Sequence, residues 1–271
     1  MQRWTIEEAA ANPERSRLVS ELLWQLADDD MIIGFRDQEW LGLAPHIEED
    51  VAFGSIGQEE IGHAALYYGL LEQLGYGKAD DLASLRTAAE RRNSVLVEQP
   101  NGAGHYLESP HYDWAWTIVR HYLHDVWETA LLGGLTDSVF EPLADAAGKI
   151  LREKRYHLAH QELWMRTMAA HDPDSRGRLE DAWRRVQAWA GDLADLGPSG
   201  ADFEAAGLCQ SVESIVGRYH VRVSEMAGAL GLPAMECETR QNGRCGEHTE
   251  ALQQALDTLS EVYRLDPTAN W

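Results

Sequence analysis

The chain has 271 residues, enough for one large domain with a sizeable core or for two small ones. Its 45 acidic and 23 basic residues give a net charge of −22, which argues against nucleic acid or an anionic membrane surface as a partner. No run of about 18 apolar residues is present, and the first residues lack the pattern of a signal peptide. The three irregularly spaced cysteines are too few for a disulfide framework or a zinc site. We therefore expect a soluble cytoplasmic protein without membrane or nucleic-acid partners.

Long segments between sparse helix breakers predict an all-α fold. The first helix is predicted to begin at Asn12-Pro13, with Asn12 as the cap and Pro13 at the first helical position, and to run to about residue 41. Glu141-Pro142 is predicted to open another long helix, to about residue 170. The other predicted helices cover residues 46–75, 80–92, 111–138, 176–196, 213–230 and 246–263. No segment looks able to build a second core alone, so we expect one domain over residues 1–271.

Each of the four long helices carries polar residues on the face that its apolar spacing predicts to be internal. They are Asp29 on the first helix, Glu60 and His63 on the second, Glu128 on the third, and Glu153 with His157 on the fourth. Residues three or four apart share one face of a helix, so these side chains could converge in the core of a bundle.

This mixture of carboxylates and imidazoles is the ligand set of a paired iron site, with manganese as the other candidate. Carboxylate-bridged di-iron bundles place an acidic residue on two helices and Glu-x-x-His on the other two. Glu60-Ile-Gly-His63 fits that motif, whereas Glu153 and His157 are spaced by four. The predicted metal ligands are Asp29, Glu60, His63, Glu128, Glu153 and His157.

Other interpretations of the same residues remain open. The polar groups could form a metal-free network of hydrogen bonds and ion pairs that fixes the packing of the bundle. Asp28 or Asp30 could be the internal aspartate in place of Asp29. His160 could be a core residue or a partner of a ligand rather than a ligand. Arg36 lies on the same predicted face, and pairing with the carboxylates would favour the metal-free network.

Several short phrases are more specific than the helical periodicity. They are Ala27-Asp28-Asp29, Gly42-Leu-Ala-Pro45, Leu96-Val-Glu-Gln-Pro-Asn-Gly102, Arg155-Tyr-His-Leu-Ala-His160, Gly243-Arg-Cys-Gly-Glu-His-Thr-Glu250 and Asn270-Trp271. Together with the helix order, they resemble the C subunits (PaaC type) of ring-1,2-phenylacetyl-CoA epoxidase, a family of phenylacetic acid catabolic proteins. The resemblance extends from about residue 20 to residue 271.

The resemblance implies a ferritin-like four-helix bundle with additional carboxy-terminal helices. It also implies membership of a complex that converts phenylacetyl-CoA to its ring epoxide with dioxygen and electrons relayed from NADPH. In that complex the di-iron centre belongs to the related A subunit, and the C subunit is its structural partner in a heterodimer that assembles further. This chain departs from the usual C subunit at Glu60, His63 and Glu128, where ligand-type residues are usually missing. Its ligand set is therefore unusually complete.

Three functions follow from these observations. The first is a structural subunit beside a catalytic A-type subunit in the epoxidation of an aromatic CoA ester. The second is a self-standing di-iron oxygenase, which would need a separate reductase because the sequence has no glycine motif for a flavin or nicotinamide. The third is a non-enzymatic metal-binding bundle. Without another partner, a homodimer is the default assembly.

Overall fold

A computed structural model describes residues 3–238 and 240–269. Most of the described chain is helical, with only two short strands, which confirms the all-α fold class of the predicted ferritin-like bundle. The helices are α1 (Ile6–Ala10), α2 (Pro13–Gln38), α3 (Ile47–Gln73), α4 (Ala79–Ser84), α5 (Val95–Glu98), α6 (Trp114–Leu135), α7 (Glu141–Ala170), α8 (Pro173–Val186), α9 (Gly200–Ala206), α10 (Val212–Leu230), α11 (Glu250–Leu259) and α12 (Glu261–Leu265). A short antiparallel pair of strands, β1 (Gly102–Ala103) and β2 (His111–Tyr112), precedes α6.

The chain forms two compact units. The α2–α3 unit contains residues 4–100 and 241–271, and the α6–α7 unit contains residues 1–3 and 101–240. The prediction of one domain over residues 1–271 stays a prediction. Among the described residues, no helix combines the length and the apolar character needed to span a membrane.

In the α2–α3 unit, helix α2 begins as the sequence predicts. The side chain of Asn12 accepts hydrogen bonds from the backbone N–H groups of Glu14 and Arg15, and Pro13 occupies the first turn. Helices α2 and α3 pack against each other over much of their length. Their backbones approach closely because Gly34 faces Gly57: a Cβ on Gly34 would lie 2.9 Å from the Gly57 carbonyl oxygen.

A second core of this unit joins residues that are distant in the sequence. Ile32 and Ile33 of α2 pack with Val97 of α5 and with Leu252 and Leu256 of α11. The carboxy-terminal segment is therefore part of the unit that the amino-terminal helices build.

In the α6–α7 unit, α6 packs against α7, α8 and α10. Nearly every residue of α6 is buried, and the buried residues include polar ones such as Arg120 and Asp125 as well as the apolar ones on all sides of the helix. Helix α7 begins at Glu141-Pro142 as predicted. Its internal face passes through Ile150, Lys154, His157 and Gln161, so Lys154 is internal in place of the predicted Glu153, and His157 is internal as predicted.

Several smaller elements differ from the sequence-based prediction. The segment predicted as a helix over residues 80–92 contains α4, which ends at Ser84, and the helix predicted over residues 176–196 is α8, which ends at Val186. Helix α1 was missed, although Thr5 and Glu8 form a capping box at its start. Helix α9, which begins at Gly200, was also missed. The last predicted helix is two helices, α11 and α12, which meet at Ser260.

The close approach of α2 and α3 generates a prediction for Gly34→Ala. The added methyl group would meet the Gly57 backbone and the Cβ of Glu60, so the helices must separate. We expect a loss of about 1–3 kcal/mol in the free energy of unfolding, measured by urea denaturation. Gly62→Ala on α3 is the control, because its methyl group meets nothing within 4 Å and should stabilise the helix. Equal effects of the two substitutions would contradict the close contact.

Candidate functional site

Three consecutive aspartates on α2, Asp28, Asp29 and Asp30, are buried, with exposed fractions of 0, 5 and 0%. Successive residues of an α-helix are separated by about 100° around its axis, so the three carboxylates point in different directions. Each therefore needs its own compensation for the loss of hydration.

Asp28 is held by cations and hydroxyl donors of its own unit. Arg86 donates two hydrogen bonds to its two carboxylate oxygens at 2.8 and 3.0 Å, and Arg91 donates one at 3.0 Å. The Tyr68 hydroxyl donates at 2.6 Å and the Arg92 backbone N–H at 2.8 Å. Burial by itself would raise the pKa of Asp28, but the charges of Arg86 and Arg91 outweigh it and lower the pKa to about 2.

Asp29, the predicted ligand on α2, is also held by donors of the protein. The Ser94 backbone N–H donates to one carboxylate oxygen at 2.7 Å, and an Arg244 guanidinium nitrogen lies 2.7 Å from the other. A ligand role for Asp29 stays a prediction. Its contacts match the alternative of a metal-free network, in which an arginine neutralises the carboxylate.

Asp30 is the aspartate that lies beside the Glu-x-x-His motif of α3. Asp30, Glu60 and His63 each offer a ligand atom, and these three atoms lie within 4.8 Å of one another. Glu60 Oε2 is 3.5 Å from His63 Nδ1, and all three residues are buried. The prediction that Glu60 and His63 face the interior together is met by this geometry. Two carboxylates and one imidazole are donors that suit a divalent iron or manganese ion.

In the α6–α7 unit, a second buried cluster contains both acidic and basic side chains. Its members are His121, His124, Asp125, Glu128, Lys154 and His157. The ammonium group of Lys154 lies 3.0 Å from a carboxylate oxygen of Asp125 and also forms an ion pair with Glu128. The protein therefore supplies a cation between two carboxylates.

The histidines of this cluster adjoin the same two carboxylates. His121 Nδ1 is 2.9 Å from Asp125, His124 Nε2 is 3.3 Å from Glu128, and His157 Nδ1 is 4.0 Å from Asp125. Burial alone would raise the pKa of Asp125, but the positive charges of His121 and Lys154 hold that pKa well below its usual range. Asp125 is thus ionised because its counter-ions are buried beside it.

Glu153, the predicted acidic ligand on α7, is only half-buried, and the next residue, Lys154, takes the internal position. His157 is internal, as predicted, whereas His160 is half-buried and lies 3.3 Å from the amide oxygen of Gln161. A second series of residues at helical spacing passes through Lys154. It runs from Leu143 to Met168 in steps of three and four, and it would have predicted that the Lys154 side chain is internal. Its members are Leu143, Ala147, Ile150, Lys154, His157, Gln161, Met165 and Met168.

The two units differ in how well their residues fit a metal ion. Asp30, Glu60 and His63 form a donor set for one divalent ion. His124, Asp125 and Glu128 also offer ligand atoms within 4.8 Å of one another, but the two carboxylates already share the Lys154 ammonium, so the α6–α7 cluster does not fit a metal site in this state. The two Glu-x-x-His motifs of a di-iron bundle are also reduced to one, because Lys154 replaces a carboxylate on α7.

Sequence comparison places the whole chain in one family. The sequence model described as phenylacetic acid catabolic protein, which covers the A and C types, matches residues 1–271. This chain belongs to the phenylacetic acid catabolic protein family. It is 29% identical over 252 residues to the C subunit of 1,2-phenylacetyl-CoA epoxidase from Escherichia coli (strain K12). The alignment covers 91% of this chain and 96% of the Escherichia coli protein.

In this phenylacetic acid catabolic protein, two of the distinctive sequence phrases contact each other. The Glu98 carboxylate accepts hydrogen bonds from the backbone N–H and the hydroxyl of Thr249, both at 2.7 Å. His248 Nδ1 lies 2.8 Å from the same carboxylate. Glu98 belongs to the phrase 96–102, and His248 and Thr249 belong to the phrase 243–250. These phrases therefore have a structural role.

Arg36 and Gly243 complete the junction between these segments. Arg36 donates hydrogen bonds to the carbonyl oxygens of Glu98, at 2.7 and 3.1 Å, and of Ala251, at 3.0 Å. It also pairs with Glu39 at 2.8 Å. A Cβ on Gly243 would lie 1.9 Å from the Asn93 carbonyl oxygen, so only glycine fits there.

The pairing of Asp28 generates a pH prediction. Its folded pKa of about 2 lies below the ordinary value of 3.8, so its contribution to stability is complete above about pH 4 and is lost as the pH falls toward 2. We expect the difference in unfolding free energy between wild type and Asp28→Asn to be constant near pH 6 and to shrink by about 2 kcal/mol between pH 4 and pH 2. Asp80→Asn, at an exposed position of α4, is the control and should show no such change. A pH-independent difference for Asp28→Asn would contradict this pairing.

The position of Lys154 generates a prediction for Lys154→Met. The substitution keeps the apolar stem and removes the cation, which leaves Asp125 and Glu128 without this counter-ion in the interior. We expect a loss of about 3–5 kcal/mol in unfolding free energy, measured by denaturant titration. Lys149→Met, at an exposed position of the same helix, should change it by less than about 0.5 kcal/mol. A Lys154→Met protein as stable as the wild type would show that the lysine is not needed to neutralise the two carboxylates.

Proposed function

We propose that this chain is the C-type, non-catalytic subunit of a cytoplasmic phenylacetyl-CoA epoxidase. Its partner would be an A-type subunit that holds the di-iron centre, and a separate reductase would supply electrons. The substrate would be phenylacetyl-CoA or a related aromatic CoA ester. The family membership and the similarity to the Escherichia coli protein support this role.

The observation that carries the proposal is the ion pairing of Lys154 with Asp125 and Glu128. In a catalytic di-iron subunit, buried carboxylates of this kind bind metal. Here a side-chain ammonium compensates them, so this half of the ligand set contributes to packing and stability without iron. On α2, Arg244 compensates the charge of Asp29 in the same way, so Asp29 also contributes to packing and stability without iron.

A self-standing di-iron oxygenase is the second candidate. It is favoured by Asp30, Glu60 and His63, which keep a compact and buried donor set. Iron bound there would supply the activation of dioxygen. The protein's own contribution would be to orient the three ligands and to exclude water through the surrounding core.

The proposal is tested by producing this chain with and without an A-type subunit and measuring metal by elemental analysis. We expect the isolated chain to hold well below one iron and the heterodimer to hold about two, all of them in the catalytic subunit. Conversion of phenylacetyl-CoA with dioxygen and reductase should require both chains.

Glu60→Gln in this chain is the decisive variant, because it preserves shape and removes the ligand charge. Under the proposal, the iron content and the turnover of the heterodimer stay unchanged. Two irons in the isolated chain, lost in Glu60→Gln and accompanied by turnover without the A-type subunit, would establish the oxygenase instead. An exposed substitution such as Glu48→Gln on α3 controls for a general effect of charge.

A further inference from the structure

The segment before α11 contains a histidine whose two ring nitrogens both lie against hydrogen-bond acceptors. The side chain of His248 is buried, with 3% exposed. Its Nδ1 atom lies 2.8 Å from Oε2 of Glu98, and its Nε2 atom lies 3.1 Å from the carbonyl oxygen of Arg91. A carbonyl oxygen can only accept a hydrogen bond, so Nε2 carries a proton. The state of Nδ1 then depends on whether Glu98 is ionised.

The surroundings of Glu98 favour its ionised form. This buried carboxylate accepts hydrogen bonds on Oε1 from the Thr249 backbone N–H and hydroxyl, both at 2.7 Å, and on Oε2 from the Asn93 side-chain amide at 3.0 Å. Donors of this kind stabilise the charged state of a carboxylate. An ionised carboxylate only accepts, so Nδ1 of His248 must donate to it as well. The ring therefore carries both protons and is an imidazolium.

His248 is the cation that neutralises Glu98, although four arginines lie nearby. They are Arg36, Arg91, Arg92 and Arg244. Their guanidinium groups donate to backbone carbonyl oxygens, and three of them also pair with other carboxylates, those of Glu39, Asp28 and Asp29. Within the described part of the chain, none of these arginines donates to the carboxylate oxygens of Glu98.

The Glu98–His248 pair joins the carboxy-terminal segment, residues 241–265, to the rest of the α2–α3 unit. Helix α11 follows directly after this pair and packs on α2 and α5. Loss of one proton would leave a ring nitrogen and an acceptor facing each other with no hydrogen between them. It would also leave a buried carboxylate without its cation. The attachment of the segment therefore depends on the protonation of His248.

We propose that the Glu98–His248 pair is a proton-dependent latch, which holds residues 241–265 on α2 and α5 and loosens this segment as the pH rises. The sign follows from linkage. Above about pH 6.5, where a released imidazole is neutral, the docked segment binds one proton more than the released segment. The equilibrium constant for docking therefore falls by up to about tenfold for each further pH unit. Below that pH both states hold the proton, and docking does not change with pH through this pair.

The protonation state is tested first, on the intact chain with isotope-labelled histidine. Long-range proton–nitrogen correlation spectra show how many ring nitrogens of each histidine carry a proton. At about pH 7.5, where a free imidazole is mostly neutral, we expect two protonated nitrogens for His248. The signal that is missing from His248→Gln assigns the resonance. A single protonated nitrogen on His248 at this pH would overturn the inference.

The latch is tested by hydrogen exchange of the α11 backbone amides, corrected for the intrinsic effect of pH on exchange. In the wild type, we expect the protection of α11 relative to α8 to fall by about tenfold or more between about pH 6.5 and about pH 8.5. In His248→Gln and in Glu98→Gln this ratio should not change with pH, because the pair no longer binds the additional proton. His46→Gln, at an exposed position of the same unit, is the matched control and should keep the wild-type pH dependence.

The outcomes separate a latch from a fixed ion pair. A doubly protonated His248 with protection of α11 that does not depend on pH would overturn the latch. Loss of the pH dependence in His46→Gln as well as in His248→Gln would overturn its assignment to this pair. Circular dichroism melting identifies any variant that does not fold, and the spectra and exchange of the wild type decide the question in that case.

Discussion

The burial of consecutive carboxylates on α2 is the constraint around which the α2–α3 unit is organised. An unpaired charge in the interior costs several kcal/mol, so cations must reach each carboxylate from elsewhere in the chain. Asp28 takes Arg86 and Arg91, and Asp29 takes Arg244. Arg244 brings the carboxy-terminal segment back to α2, and this is one physical reason why residues 241–271 belong to the same unit as residues 4–100.

The same device appears in the α6–α7 unit, where Lys154 compensates Asp125 and Glu128. In both units the protein thus contributes its own cations to carboxylates on its long helices. Such interior ion pairs need no metal to be satisfied, as the proposed non-catalytic role requires. Asp30, Glu60 and His63 are the exception, since they retain a donor set of the kind that binds iron.

The phrases that mark the family serve this architecture as well. Glu98 joins the end of α5 to the segment that caps α11, through Thr249 and His248. Gly243 lies so close to the Asn93 carbonyl that no other residue fits. Sequence phrases of this specificity arise when several hydrogen bonds depend on one another, because the loss of one donor leaves a buried carboxylate incompletely satisfied.

The sequence by itself determined the all-α fold class, the starts of α2 at Asn12-Pro13 and α7 at Glu141-Pro142, and the internal position of Glu60 and His63. These features depend on capping and on helical period, which are local properties. The internal line of α7 was decided only by the tertiary structure. Two alternative sets of α7 residues at helical spacing contain both Ile150 and His157. One set includes Glu153 and the other includes Lys154. The buried carboxylates of α6 favour the set with Lys154, because the lysine neutralises them. The local sequence pattern of α7 does not show which charges of another helix its side chains will face.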